Sequence, residues 1–180
     1  MRMLLPLVFT AALFAADPLP TPVSKVFDGQ LTVIERDLVP LAEAMPADKY
    51  DFAPASGEFK GVRNFGQQLS HTAAIIYAVS AAALAEKNPS EMGPNENGPA
   101  TLKTKEQIVQ YLKDSFAYAH KAMAKLTAEN LTSPVPSPFG NGQQPRGSMA
   151  SVAVWHSFDH YGQMVVYARM NGIVPPASRR

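Results

Sequence analysis

With 180 residues, 46% of them hydrophobic and 17% charged, the chain has the size and composition of one folded domain; it is too short for two comfortable ones and too apolar for wholesale disorder. A formal net charge of +1, with no Lys/Arg run in the body of the chain, argues against nucleic-acid binding and against recruitment to an anionic membrane surface. Zero cysteines exclude a disulfide framework, a thiolate metal ligand, a cysteine nucleophile and a lipidated N-terminal cysteine, so a metal would have to be held by nitrogen and oxygen.

Arg2 is followed by an apolar stretch over residues 4–16, the length of a secretory leader and too short to span a bilayer. Residues 1–16 are therefore expected to be a signal peptide, the mature protein to be periplasmic or extracellular, and no stable membrane insertion to remain after its removal. The Pro-rich residues 17–22 read as a linker. Over residues 23–45, Val23, Phe27, Leu31, Ile34, Leu38 and Leu41 recur at helical spacing, with a bend expected at Pro40 and a stop at Pro46. Residues 46–61 read as a connection. Residues 62–87 are Ala-rich and apolar on more than one face, as in a helix with most of its circumference buried.

Residues 88–100 are loop by composition. Thr104 and Gln107 then form a capping-box pattern, and a third helix runs to about residue 126 with Ile108, Leu112, Ser115, Ala119, Ala122 and Leu126 facing inward. The long Pro/Gly stretch after it suggests a lid or rim. A fourth helix covers residues 148–170, closed by Asn171 and Gly172 with Pro175 beyond. Four helical patterns without period-two strands predict an all-α four-helix bundle over residues 23–176, with up-down antiparallel-like packing, long loops and a tail at 177–180.

His156 and His160 are four apart on the fourth helix, so they share a face with β-carbons roughly 6 Å apart. Met149, Val152, Ala153 and Met164 lie on that face and turn the pair inward, where buried imidazoles need a partner such as a metal ion. His71, flanked by Ala74, Ile75 and Ala78 on its own face, also points inward and can complete a three-nitrogen site. A lone histidine on an apolar face is more often structural than ligating, and that alternative stands for each of the three. His120, at the edge of the third helix's stripe beside Lys121, reads as a surface residue. Ser157 occupies the place where a zinc protease of the HExxH type needs its glutamate, which excludes that class. Three neutral imidazoles on a divalent ion would leave open positions and can lower the pKa of a bound water toward about 7.

Two strings, DKYDFAPASGEFKGVRNFGQQLSHTA at 48–73 and HSFDHYGQMVVYARMNGIVPP at 156–176, resemble the two halves of the DinB-like superfamily pattern. The resemblance implies a four-helix bundle, often a homodimer, with a metal triad at His71, His156 and His160. It implies nickel, zinc, manganese or iron as the ion, with zinc or nickel preferred here. Some relatives are transferases or isomerases that use low-molecular-weight thiols. At Ser157, Asp159 and Tyr161 the chain departs from the acidic and basic residues many relatives carry, so no chemistry carries over from there.

Three readings follow: a metal-dependent hydrolase or thiol-type transferase of unknown small-molecule substrate, a non-catalytic metal- or ligand-binding bundle, and an interaction module. For the first, Asn64, Gln67 and Gln163 share the histidine faces and can orient water or substrate, or else support polar groups and imidazoles from behind. Asp159 is a candidate base, with exposure to solvent as its alternative. Tyr77, Tyr161 and Tyr167 are candidates for the pocket wall, with core packing as the default. Trp155 suits contact with a neighbouring helix or subunit.

Overall fold

The computed structural model describes residues 21–179, so the expected leader at 1–16 and most of the 17–22 linker lie outside the described residues. Four helices carry the fold: α1 (Val23–Ala44), α2 (Phe65–Leu84), α3 (Lys105–Met123) and α4 (Arg146–Met170). No helix among the described residues is long and apolar enough to cross a membrane.

The periodicity of α1 is the periodicity of its buried stripe, Leu31, Ile34, Leu38 and Leu41, all fully buried. Pro40 lies inside this helix and deprives the Arg36 carbonyl of its intrahelical donor. Arg36 is exposed, so water can satisfy that carbonyl. The last carbonyls of α1 are met from another helix: Lys105 Nζ donates to Glu43 O at 2.7 Å and Met45 O at 2.8 Å.

Helix α2 is the central element. It packs on α3 and α4, and α1 packs on the same two. Helices α1 and α2 thus stand on one diagonal of the bundle, and α3 and α4, which touch lightly, on the other. This is why α2 reads as apolar nearly all round: of its 20 residues only three, Gln67, Tyr77 and Leu84, are not buried. The bundle core is closed by Phe65, Leu69 and Ile76 from α2, Leu112 and Phe116 from α3, and Met164 from α4. Burying a side chain of this size contributes about 1.5–3 kcal/mol.

Between α3 and α4 the chain forms a short antiparallel hairpin, β1 (Pro134–Pro136) and β2 (Gln143–Pro145), with Val135 paired to Gln144. Three prolines remove donors from this ladder, which keeps it short and hides it from any period-two pattern. Val135 is buried and β1 packs on α2 while β2 packs on α4. Pro136, Ser137 and Pro138 border a hollow beside Ala78, Ala81 and Ala82, in the later turns of α2. The hairpin therefore closes the bundle away from His71 instead of forming a lid over it.

His120 is partly buried, and its ring is paired instead of standing free in solvent as a surface residue. Its Nδ1 lies 2.7 Å from Asp28 Oδ1 and its Nε2 2.9 Å from Glu35 Oε2, so it clasps α3 to α1. Partial burial alone would lower its pKa, but the hydrogen bonds to Glu35 and Asp28 overcome that and raise it above 6.5. A raised folded-state pKa means the clasp stabilises fully below the unfolded value of 6.5 and is lost as pH rises through the folded value. With all three groups partly exposed, the effect should be about 1 kcal/mol or less. Unfolding curves between pH 5 and 9 are expected to show this decline in the native chain and to lose it in His120→Gln.

Candidate metal centre

The histidine on α2 is placed by the helix start. Asn64 caps α2: the Gln67 amide donates to Asn64 Oδ1 at 2.8 Å, and the Asn64 amide donates to Gln67 Oε1 at 3.0 Å. Asn64 and Gln67 are therefore engaged with one another in capping the helix, the second of the two roles weighed for them. One turn further on, Gln68 and His71 face α4, where His156 and His160 stand one turn apart.

The three imidazoles converge. His71 Nε2 and His156 Nε2 are 3.2 Å apart, and ring centroids are separated by 5.1 Å for His71–His156, 4.8 Å for His71–His160 and 4.5 Å for His156–His160. One ligand atom from each lies within 4.8 Å of the other two. Tetrahedral nitrogens at about 2.0–2.1 Å from a zinc ion would stand about 3.3–3.4 Å apart, so the His71–His156 pair has the spacing of two ligands of one ion. His71 and His160 are buried and His156 is half-buried.

Burial, reinforced by the neighbouring imidazoles and Arg63, lowers the pKa of His156 to about 4 and that of His160 to about 3. Burial is also the main cause of a lowered pKa at His71. All three rings are accordingly neutral at pH 7, the state that ligates metals.

Two of the rings are tied from behind. His71 Nδ1 is 2.9 Å from the Glu96 carbonyl, which only accepts, so that nitrogen carries the proton and Nε2 presents its lone pair to the cluster. His160 Nδ1 is hydrogen-bonded to Gln68 Oε1. Gln68 Nε2 in turn donates to Gln163 Oε1 at 3.0 Å, and Gln163 Nε2 donates to Asp159 Oδ2 at 3.2 Å. The chain of donors runs one way, from His160 to the carboxylate. Asp159 is exposed and touches the site through these two amides, and Gln163 supports Gln68.

The Glu96 carbonyl reaches His71 from an unusual turn. Gly93, Asn95, Glu96 and Gly98 all have positive φ, at 65°, 54°, 59° and 76°. For a glutamate this conformation costs about 1–2 kcal/mol. Arg63 holds the turn, with Nε donating to Asn97 Oδ1 at 2.7 Å and Nη2 donating to Asn95 O at 2.8 Å, and Gly98 N closes it on Met92 O at 2.8 Å. Arg63 is itself fixed by Tyr167 Oη, which donates to its carbonyl at 3.2 Å.

Beside the cluster lies a cavity of about 620 Å³ that Arg63, Gln68, Asn97, His160 and Gln163 help to line. None of the tyrosines proposed for a pocket wall lines it. Tyr77 packs against Tyr111 and Tyr118, Tyr161 packs against the core, and Tyr167 supports Arg63 from the core. Ser157 is fully buried and donates to Ala153 O in its own helix, so it does not reach toward the imidazoles. Trp155 is 57% exposed and stacks edge-on with His156.

A four-helix bundle with a histidine from α2 and a spaced pair from α4 is the class this architecture defines. A family model for the DinB superfamily matches residues 30–164, and the chain belongs to that superfamily. It is similar in fold to the crystal structure of a DinB-like protein from Bacillus cereus ATCC 10987, with a TM-score of 0.67 and 17% identity over 84% of this chain and 95% of that one. It is also similar to a DinB-like protein from Bacillus subtilis, with a TM-score of 0.65 and 16% identity over 86% of this chain and 99% of that one. At such identities the likeness concerns the fold alone. None of the curated proteins matches the chain.

Proposed function

We propose that this chain binds one divalent metal ion through His71, His156 and His160, with zinc or nickel preferred and iron or manganese compatible with the same donors. The reading extends to a metal-dependent hydrolase or transferase acting on a small molecule, exported by the segment at 1–16. What supports it is the convergence of three neutral imidazoles, with the outer nitrogens of His71 and His160 held by acceptors so that their inner nitrogens face one point. A divalent ion held there would supply Lewis acidity to a bound small molecule or water. The chain's own residues do the rest: Glu96 O and Gln68 orient the rings, and Arg63 holds the turn that carries Glu96 O.

One observation favours a second reading, in which the ion is bound without turnover. Apart from His160, the cavity is lined by amides, a guanidinium and small or aliphatic groups, none of which titrates near pH 7. Elemental analysis of the purified full chain tests the shared premise. About one divalent ion per chain is expected in the native protein and close to none in His156→Ala; equal metal content in the two would sink it. An activity screen with esters, amides and thiol conjugates then separates turnover from binding.

The ring-orienting role of Gln68 has its own readout. Gln68→Leu leaves the His160 Nδ1 proton without an acceptor and should weaken zinc binding by about 10- to 100-fold in a chelator competition. Gln68→Glu keeps an acceptor at the same place and should recover most of that loss.

A further inference from the structure

We infer that the cavity beside the histidine cluster is a subsite for a small carboxylate-bearing molecule, with Arg63 as the group that holds its anionic end. The inference deepens the metal reading and rests on it for what would happen at the other end of such a ligand.

The cavity, at about 620 Å³, is of small-molecule size. Arg63 is the one formally charged side chain lining it among the described residues. Its Nε and Nη2 are engaged by Asn97 and Asn95, which fixes the guanidinium plane, while Nη1 has no hydrogen-bond partner among the described residues. A guanidinium held in this way loses little freedom when its remaining nitrogen, Nη1, donates to a carboxylate oxygen. The rest of the wall is mostly amide, from Gln67, Gln68, Asn97 and Gln163, with Val62 as the single large apolar contributor. Such a lining favours a polar anion over a hydrophobe. The Glu96 carboxylate, whose charge acts on Arg63, favours a ligand with a single negative charge. A phosphate dianion would set two charges against one guanidinium that already feels the Glu96 carboxylate. Holding the turn accounts for two of the guanidinium's nitrogens and leaves Nη1, on a residue that lines this polar cavity, without a partner among the described residues.

The test is an NMR titration of the full chain, stripped of metal and then loaded with zinc, using lactate and its neutral isostere lactamide. Lactate is expected to move the Arg63 Nε–H signal and the side-chain amide signals of Gln68 and Gln163 to saturation, with lactamide binding at least about tenfold more weakly. Val62→Glu adds a carboxylate to the cavity wall without touching the Arg63 contacts to the turn, and should weaken lactate by about tenfold or more. Equal affinities for lactate and lactamide, or lactate binding unmoved by Val62→Glu, would overturn the subsite. Inorganic phosphate binding more tightly than lactate would overturn the carboxylate assignment. The two readings fail separately: lactate binding by a chain that takes up no zinc keeps the subsite and removes the metal centre, whereas zinc uptake with no preference for lactate does the reverse.

Discussion

Gly93→Ala is expected to destabilise the protein by about 2–5 kcal/mol and to loosen the histidine cluster, although residue 93 touches none of the three rings. A Cβ at this position would stand 1.8 Å from the Gly98 carbonyl oxygen and 2.8 Å from its carbon. Both are backbone atoms, held in place because Gly98 N donates to Met92 O, so no side-chain rotation relieves the clash. The φ of 65° adds the left-handed penalty of any residue with a Cβ. The chain must open the turn at 93–98, and the Glu96 carbonyl, which holds the proton of His71 Nδ1, moves with it. For a chain of this length the loss should lower the melting temperature by roughly 5–15 °C. Zinc affinity should fall as well. A variant with native melting temperature and native zinc affinity would show that the turn does not hold His71.

Chelation provides the second large effect. If the ion is present at a free concentration about a hundredfold above its dissociation constant, removing it with EDTA costs about 2.7 kcal/mol, or roughly 5–10 °C in melting temperature. A melting temperature unchanged by chelator would dispose of the metal reading. The stripped protein should also be acid-sensitive in a defined direction. The folded-state pKa values of His156 and His160, about 4 and about 3, lie below the unfolded value of 6.5. Between those limits the unfolded chain binds more protons than the folded one, so stability is complete above pH 6.5 and falls as pH drops toward 4. His120 acts in the opposite sense at higher pH, which makes the two contributions separable in one pH series.

Much of this was legible in the sequence because it rests on local periodicity. The stripe of α1, the all-round burial of α2, the Thr104 capping box and the inward face of His156 and His160 are properties of residues three and four apart. What was missed depends on partners far along the chain. Gln68 meets His160 across 92 positions, and His120 meets Asp28 and Glu35 across 92 and 85, so no window of sequence contains either pair. The capping box of Asn64 and Gln67 went unread for a different reason. Their spacing of three is shared by a helical face and by a capping box, and placing the helix start at Val62 instead of Phe65 hid the second. The segment that carries the turn at 93–98 was legible only as a loop, and its contribution to the site is a main-chain oxygen, which every residue type supplies alike.

The two amides between Asp159 and His160 can each be turned end for end without changing shape, yet only one orientation is open to them. A carboxylate has no proton to give, so Gln163 must offer it the NH₂ end, Gln68 must do the same to Gln163, and an oxygen is what remains for the imidazole. A negative charge at the protein surface thereby decides which edge of a buried ring is left bare, and the instruction travels by the exclusion of alternatives at each link.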